Sequence, residues 1–124
     1  MTAKGFKPPV SPMRGELYWL DFAPATGHEM TGDHPCLVVQ NDVGNRLSAL
    51  TIVAAITTTL RVASLPIGVL LPAGTGGLKQ DSVVHCGHVY TVDKLRLSNK
   101  IGDLPAAKMT EVDLALARSL GLKP

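Results

Sequence analysis

Leu50 to Ile56, LTIVAAI, is an apolar, β-branched run that stops abruptly at Thr57, Thr58 and Thr59. Its length suits a strand, and its lack of polar alternation predicts burial on both faces. Upstream, Glu16 to Phe22, ELYWLDF, reads as a strand with mixed faces. Leu17, Trp19 and Asp21 fall on one side; Glu16, Tyr18, Leu20 and Phe22 fall on the other. Pro35 can open a further strand, where its missing N–H costs little, and Cys36 to Gln40 continue it. Asn41 to Asn45, NDVGN, has the composition of a turn or a single helical turn. Downstream, Ile67 to Leu71 is a short strand bounded by Pro66 and Pro72, and Ala73 to Gly77 is a turn. Ser82 to Asp93 reads as one or two strands with Gly87 at a bend or bulge. The chain then changes character. From Pro105 to Leu120, apolar residues fall at Ala106, Met109, Val112, Ala115/Leu116 and Leu120, a helical spacing. Pro105 suits the first turn, Arg118 the last, and Gly121 is a natural stop. The expected fold is mainly β, with a C-terminal α-helix packed on a small β-domain.

Composition narrows the function classes. At 124 residues, one domain with a proper core is expected, and 45% hydrophobic against 18% charged residues argues for a globular chain. Residues 1–13 read as a flexible arm and 14–124 as the single domain. A net charge of +2 permits a polyanionic partner without demanding one. With only 4% aromatic residues, a broad platform for stacking bases is not expected. Lys94 to Lys100 carries three basic residues and no acid, and reads as a solvated edge before a nucleic-acid contact. Lys4 and Lys7 are followed by Pro8, Pro9 and Pro12 and by no apolar stretch, so no leader is expected. The longest apolar run, Val62 to Ala73, is interrupted and too short for a bilayer. Cys36 and Cys86 read as buried free thiols, with a disulfide between them left open, which fits a cytoplasmic protein with no membrane partner.

The richest chemistry lies in Gly27 to Asn41, GHEMTGDHPCLVVQN, where a loop runs straight into the strand opened by Pro35. His28, Glu29, Asp33 and His34 crowd this loop, so groups able to exchange protons near neutrality share one place. The bland alternative is a solvated loop with two exposed histidines. His85 and His88 flank Gly87, and Cys86 and His88 are expected on one strand face. With His28 and His34 they make zinc a hypothesis to test, but no CxxC pair or HxxxH helix supports it. No metal or other cofactor is expected. Cys86 between apolar strand residues is a poor nucleophile. The glycine-rich turn before Lys79 lacks the spacing and the hydroxyl residue of a phosphate loop. A better hypothesis is cleavage of RNA, which needs a base for the 2′-hydroxyl, an acid for the departing 5′-oxygen and donors for the phosphate. Two histidines, threonine hydroxyls and backbone N–H groups would fill those roles.

The chain also resembles the MazF/PemK toxin family of bacterial toxin–antitoxin systems, from Arg14 to Leu122. The matching pieces come in the family's order: RGELYWLDF at Arg14–Phe22, P-x-x-G-H-E at Pro24–Glu29 and GDHPCLVVQND at Gly32–Asp42. IVAAITT at Ile52–Thr58, GLKQDSVV at Gly77–Val84, TVDKLRL at Thr91–Leu97 and EVDLALARSLGL at Glu111–Leu122 follow. The resemblance implies an SH3-like small β-barrel with a C-terminal helix, forming a homodimer. It implies a sequence-specific, metal-independent endoribonuclease that cuts single-stranded RNA, leaving a 2′,3′-cyclic phosphate and a 5′-hydroxyl. A cognate antitoxin would lay an acidic segment over the RNA groove, competing with phosphates for the same donors.

Carried over residue by residue, the resemblance makes His34, Thr57 and His28 the expected catalytic set. Glu29, Thr58, His85, His88 and Tyr90 become the expected substrate-binding set. His34 stands where the family has its acid/base arginine, immediately before Pro35, and Thr57 matches the partnering threonine. Glu29 matches the loop glutamate, and His28 matches the histidine of the PemK branch. His88 stands where many relatives have Gln, Tyr90 replaces a frequent Arg, and His85 and Gly87 replace the Arg and Asp of the PemK branch. Arginine offers a permanent charge and a fork of donors, whereas histidine offers an exchangeable proton and a charge that vanishes above its pKa. Two functions follow: a nuclease run by histidine, or a catalytically weakened toxin-like barrel that acts by binding protein, as the similarly folded gyrase poison CcdB does.

Overall fold

The run from Leu50 sits inside an antiparallel sheet and feeds a separate core from each of its faces. The computed structural model describes residues 11–22 and 31–123. Its strands are β1 (Glu16–Asp21), β2 (Asp33–Val38), β3 (Leu50–Thr57), β4 (Gly68–Leu71), β5 (Ser82–Asp93) and β6 (Ser98–Asp103). They lie in the order β4-β5-β3-β2-β1-β6. Helix α1 (Asp42–Leu47) joins β2 to β3, and α2 (Ala106–Leu120) closes the chain. Ala54 and Ile56 of β3 pack with Leu17, Leu37, Val84 and the α2 residues Val112 and Ala115. Val53 and Ala55 pack with Tyr18, Leu20, Phe22 and Cys36 on the other face. Register shifts in the β1–β6 and β3–β5 ladders bend the strands and curl the sheet into a half-open barrel. Two residues of the run escape the expected burial: Leu50 is 44% exposed and Ile52 is half-buried.

The helix matches its sequence pattern. Val112 is fully buried, and burying a side chain of that size contributes roughly 1.5–3 kcal/mol. Gly121 takes φ +71° and ends the helix, with Leu122 N–H donating back to Ala117 O at 2.8 Å. The NDVGN segment is a six-residue helix capped by Asn41, whose side chain accepts from Gly44 N at 2.8 Å.

Three readings change. Ser98–Asp103, taken as part of a basic solvated stretch, forms the edge strand β6. Its SNKIGD sequence lacks apolar alternation because it lies at the end of the sheet and pairs only with β1. The basic side chains before and within it are tied locally. Lys94 Nζ donates to Asn45 O at 2.7 Å, Arg96 to Asp21 O, and Lys100 Nζ pairs with Glu16 at 2.9 Å and Asp103 at 3.1 Å. At the end of the segment read as an arm, Pro12 is buried and Ser11 Oγ donates to Asn45 O at 2.8 Å. Finally, Cys86 packs in the helix-side cluster, away from the His85–His88 pair, so Cys86 and His88 share no face. The cause is a bulge: the ladder pairs Ala54 with Val89 and Ala55 with His85, leaving Cys86, Gly87 and His88 unpaired with β3.

The same geometry separates the thiols. Cys36 belongs to the opposite cluster from Cys86, and both are free and fully buried. Burial pushes the Cys36 thiol up to about 12 and Cys86 up to about 11, which keeps both protonated and inert.

Candidate active site

Strand pairing carries His34 and Thr57 to one end of the sheet. The β2–β3 ladder pairs Val38 with Val53, Leu37 with Ala54 and Cys36 with Ala55. Continued two residues, this register sets His34 opposite Thr57, and strand alternation turns both to the face of Cys36 and Ala55. Cross-strand pairing with Ala55 turns His85 to that face as well, and Tyr90 pairs with Val53. One face therefore carries His34, Thr57, His85 and Tyr90, all from strands with rigid neighbours.

The aromatic rings on this face form a row. His34 meets Phe22 edge-on at 6.1 Å between centroids, and Phe22 meets Tyr90 edge-on at 5.1 Å. Tyr90 meets His88 at 6.5 Å, and His88 lies flat on His85 at 3.8 Å with 6° between planes. Phe22 and Tyr90 thus stand between the His34 end and the histidine pair. The sequence places Phe22 on the correct strand face but carries no sign of which rings it will meet.

Hydrogen bonds fix the state of each neutral imidazole. His34 Nε2 lies 2.8 Å from Thr31 O, a carbonyl that can only accept, so Nε2 carries the proton and Nδ1 is left with its lone pair. His85 Nδ1 accepts from Gly87 N at 3.1 Å, which puts the proton of neutral His85 on Nε2. Burial, then the charge of neighbouring His88, lowers the pKa of His85. His88 Nδ1 is buried and has no hydrogen-bond partner among the described residues. Thr57 Oγ1 accepts from Thr59 N at 3.1 Å, so its own O–H proton stays available to donate.

A groove of about 370 Å³ opens beside this end of the sheet. His34 and Thr58 line it together with Trp19, Asp33, Pro35, Lys79 and Gln80. Trp19, Lys79 and Gln80 were not singled out as site residues by the sequence. The one available signal was Trp19 as a large aromatic on the mixed face of β1, and it is 42% exposed. His28 and Glu29 lie outside the described residues. The segment that bears them leaves from Phe22 and returns at Thr31, both in contact with His34. Among the described residues, no three His, Cys, Asp or Glu side chains converge as metal ligands.

A family model described as PemK-like, MazF-like toxin of type II toxin–antitoxin system matches residues 13–120. Over 109 residues the chain is 45% identical to endoribonuclease EndoA of Bacillus subtilis, covering 88% of this chain and 94% of that protein. It is 42% identical to endoribonuclease MazF of Staphylococcus epidermidis, covering 88% of this chain and 91% of the relative. The solved structure of MazF from Deinococcus radiodurans matches with a TM-score of 0.78 at 30% identity, over 92% of this chain and 100% of that one. An endoribonuclease from a mycobacterial species, solved with its cognate antitoxin, matches with a TM-score of 0.77 at 29% identity, over 91% of this chain and 98% of that one.

Proposed function

This chain belongs to the PemK-like, MazF-like family of toxins of type II toxin–antitoxin systems and is an endoribonuclease, and on that premise we propose a histidine-run, metal-independent cleavage of single-stranded RNA. The observation that carries the proposal is the β2–β3 register, which, continued two residues beyond Cys36 and Ala55, brings His34 opposite Thr57. His34 Nδ1, bare because Nε2 is held by Thr31 O, takes the proton of the 2′-hydroxyl. The 2′-oxygen then bonds to phosphorus as the bond to the 5′-oxygen breaks, leaving a 2′,3′-cyclic phosphate. The Thr57 hydroxyl donates to a phosphate oxygen as charge builds there.

His28, outside the described residues on the segment between Phe22 and Thr31, is the proposed acid that protonates the leaving 5′-oxygen. His88 does not fit that part, because Phe22 and Tyr90 separate it from His34. Glu29 and Thr58 remain proposed substrate contacts beside the scissile phosphate, with Tyr90, His85 and His88 further along the strand of RNA. The active form is proposed to be a homodimer. An acidic antitoxin segment, by competing with phosphates, would cover the same face. A mycobacterial relative solved with its cognate antitoxin supports that pairing.

The test is cleavage of a mixed-sequence single-stranded RNA in EDTA from about pH 5 to 9, the range over which histidine titrates. A bell-shaped profile is expected, with cyclic-phosphate ends. His34→Ala and Thr57→Ala should each slow cleavage by roughly 10²–10⁴-fold. No cleavage at any pH by well-folded protein would favour the second reading, a toxin-like barrel that binds protein because His34 does not replace the arginine's charge.

A further inference from the structure

Building on the RNA-cleaving reading, we propose that His85 and His88 form one proton-gated phosphate site, which takes up a single proton together with an RNA phosphate and releases both as pH rises. The bulge in β5 creates the pair. It swings Cys86 into the helix-side core and brings His88 back over His85, ring on ring at 3.8 Å. Gly87 allows this, since a Cβ there would lie 2.8 Å from His85 Cε1. Two positive charges stacked face to face at that distance repel strongly, so the pair holds one proton and titrates as a unit.

Among the described residues, no acidic side chain pairs with His85 or His88. β3 and β4 bring no titratable side chain against the pair, and the short helix at Leu60–Ser64 brings Arg61. Tyr90 stands at the edge of His88, while α2, with Glu111 and Asp113, packs on the Cys86 face. His28 and Glu29 lie outside the described residues. His88 Nδ1 has no hydrogen-bond partner among the described residues, so protonating it breaks no hydrogen bond seen there. Burial, then the neighbouring His88, lowers the pKa of His85 and so disfavours its charged form. An anion reverses that balance, and by linkage the proton and the phosphate strengthen each other's binding. Phe22 and Tyr90 lie between the pair and His34, so the phosphate held belongs to a neighbouring nucleotide and not to the scissile bond.

The test uses the full chain and an uncleavable RNA carrying 2′-O-methyl groups throughout. Affinity is measured at fixed salt from about pH 5.5 to 8.5, spanning the histidine range, with proton uptake read by calorimetry in buffers of different ionisation heat. Affinity should weaken by about tenfold per pH unit on the alkaline limb, with uptake approaching one proton. His88→Gln and His85→Gln each remove one partner's repulsion and should shift the limb's midpoint to higher pH. The double variant should flatten the limb, and thermal melts check that the variants fold. Equal affinity at both ends of the range would overturn the proposal. So would a limb unchanged in His88→Gln but abolished by His34→Ala, which would place the proton at the cleavage site. Because the RNA cannot be cut, proton-linked binding by a protein that fails to cleave native RNA would sink the nuclease reading and leave this site standing.

Discussion

His34 and Asn45 are both polar side chains that the fold holds by hydrogen bonds, His34 at the end of a strand and Asn45 in the interior. Thr31 O fixes which nitrogen of His34 is free, so the exchange of arginine for histidine has a readable consequence. His34→Arg should keep measurable cleavage and lose the histidine-dependent limb of the pH profile, because a guanidinium stays charged throughout. Steady-state rates across pH would show it. Asn45, 1% exposed, accepts from Thr51 Oγ1 at 2.7 Å and Gln40 Nε2 at 3.0 Å, and donates to Gln40 O at 3.0 Å. Asn45→Leu would strand the buried Thr51 hydroxyl and loosen Gln40, at a cost of about 2–4 kcal/mol in a urea melt. The sequence marked NDVGN as a turn or helical turn. It did not mark Asn45 as the residue tying that turn to β3, because burial of a polar side chain is decided by what folds over it.

Among the elements, β5 departs furthest from a regular strand, and β4 depends most on its neighbour. The bulge at Gly87 was legible as a glycine within a strand pattern, but its width was not. A regular strand would have kept Cys86 and His88 on a common face; the three unpaired residues divide them between the two faces. Gly68 pairs with His85 while the 3-10 helix at Leu60–Ser64 presses on it from behind. A Cβ at Gly68 would lie 2.1 Å from Val62 O and 2.8 Å from Val62 C, main-chain atoms that cannot swing aside. Gly68→Ala should therefore destabilise by about 1–3 kcal/mol and disturb the histidine pair, seen as a lower melting temperature with altered imidazole resonances. β6 escaped detection for a different reason. With Ile101 as its one large apolar residue, it is held by pairing with β1 and by Lys100 bridging Glu16 and Asp103.

For the molecule as a whole, two groups set how stability responds to acid. The pKa of His85 lies below its ordinary 6.5, chiefly through burial, so below that pH the unfolded chain binds the proton more readily. Stability from this group is complete above 6.5 and declines as pH falls. Asp42 is held below its ordinary 3.8, first by the Arg14 backbone N–H and then by the Asn45 side chain. Its contribution is complete above 3.8 and is lost as pH falls through the lowered folded value. Urea melts from neutral to acid pH should show two declines. His85→Asn should remove the first and Asp42→Asn the second; a single decline untouched by either variant would contradict this account.

Local pattern alone determined the class of this protein: apolar runs of strand length, a terminal segment with helical spacing, and turn residues between them. These signals are encoded within a few residues, so they survive without knowledge of distant contacts. Motifs in family order pointed to His34 and Thr57 as well. Only the tertiary structure decided that Cys36 and Cys86 face different cores and that the basic run from Lys94 serves the fold. It alone set Phe22 and Tyr90 as spacers between two histidine centres. Those outcomes depend on register and on a bulge, where a shift of one residue reverses which face a side chain occupies, and pairing between distant segments settles that shift.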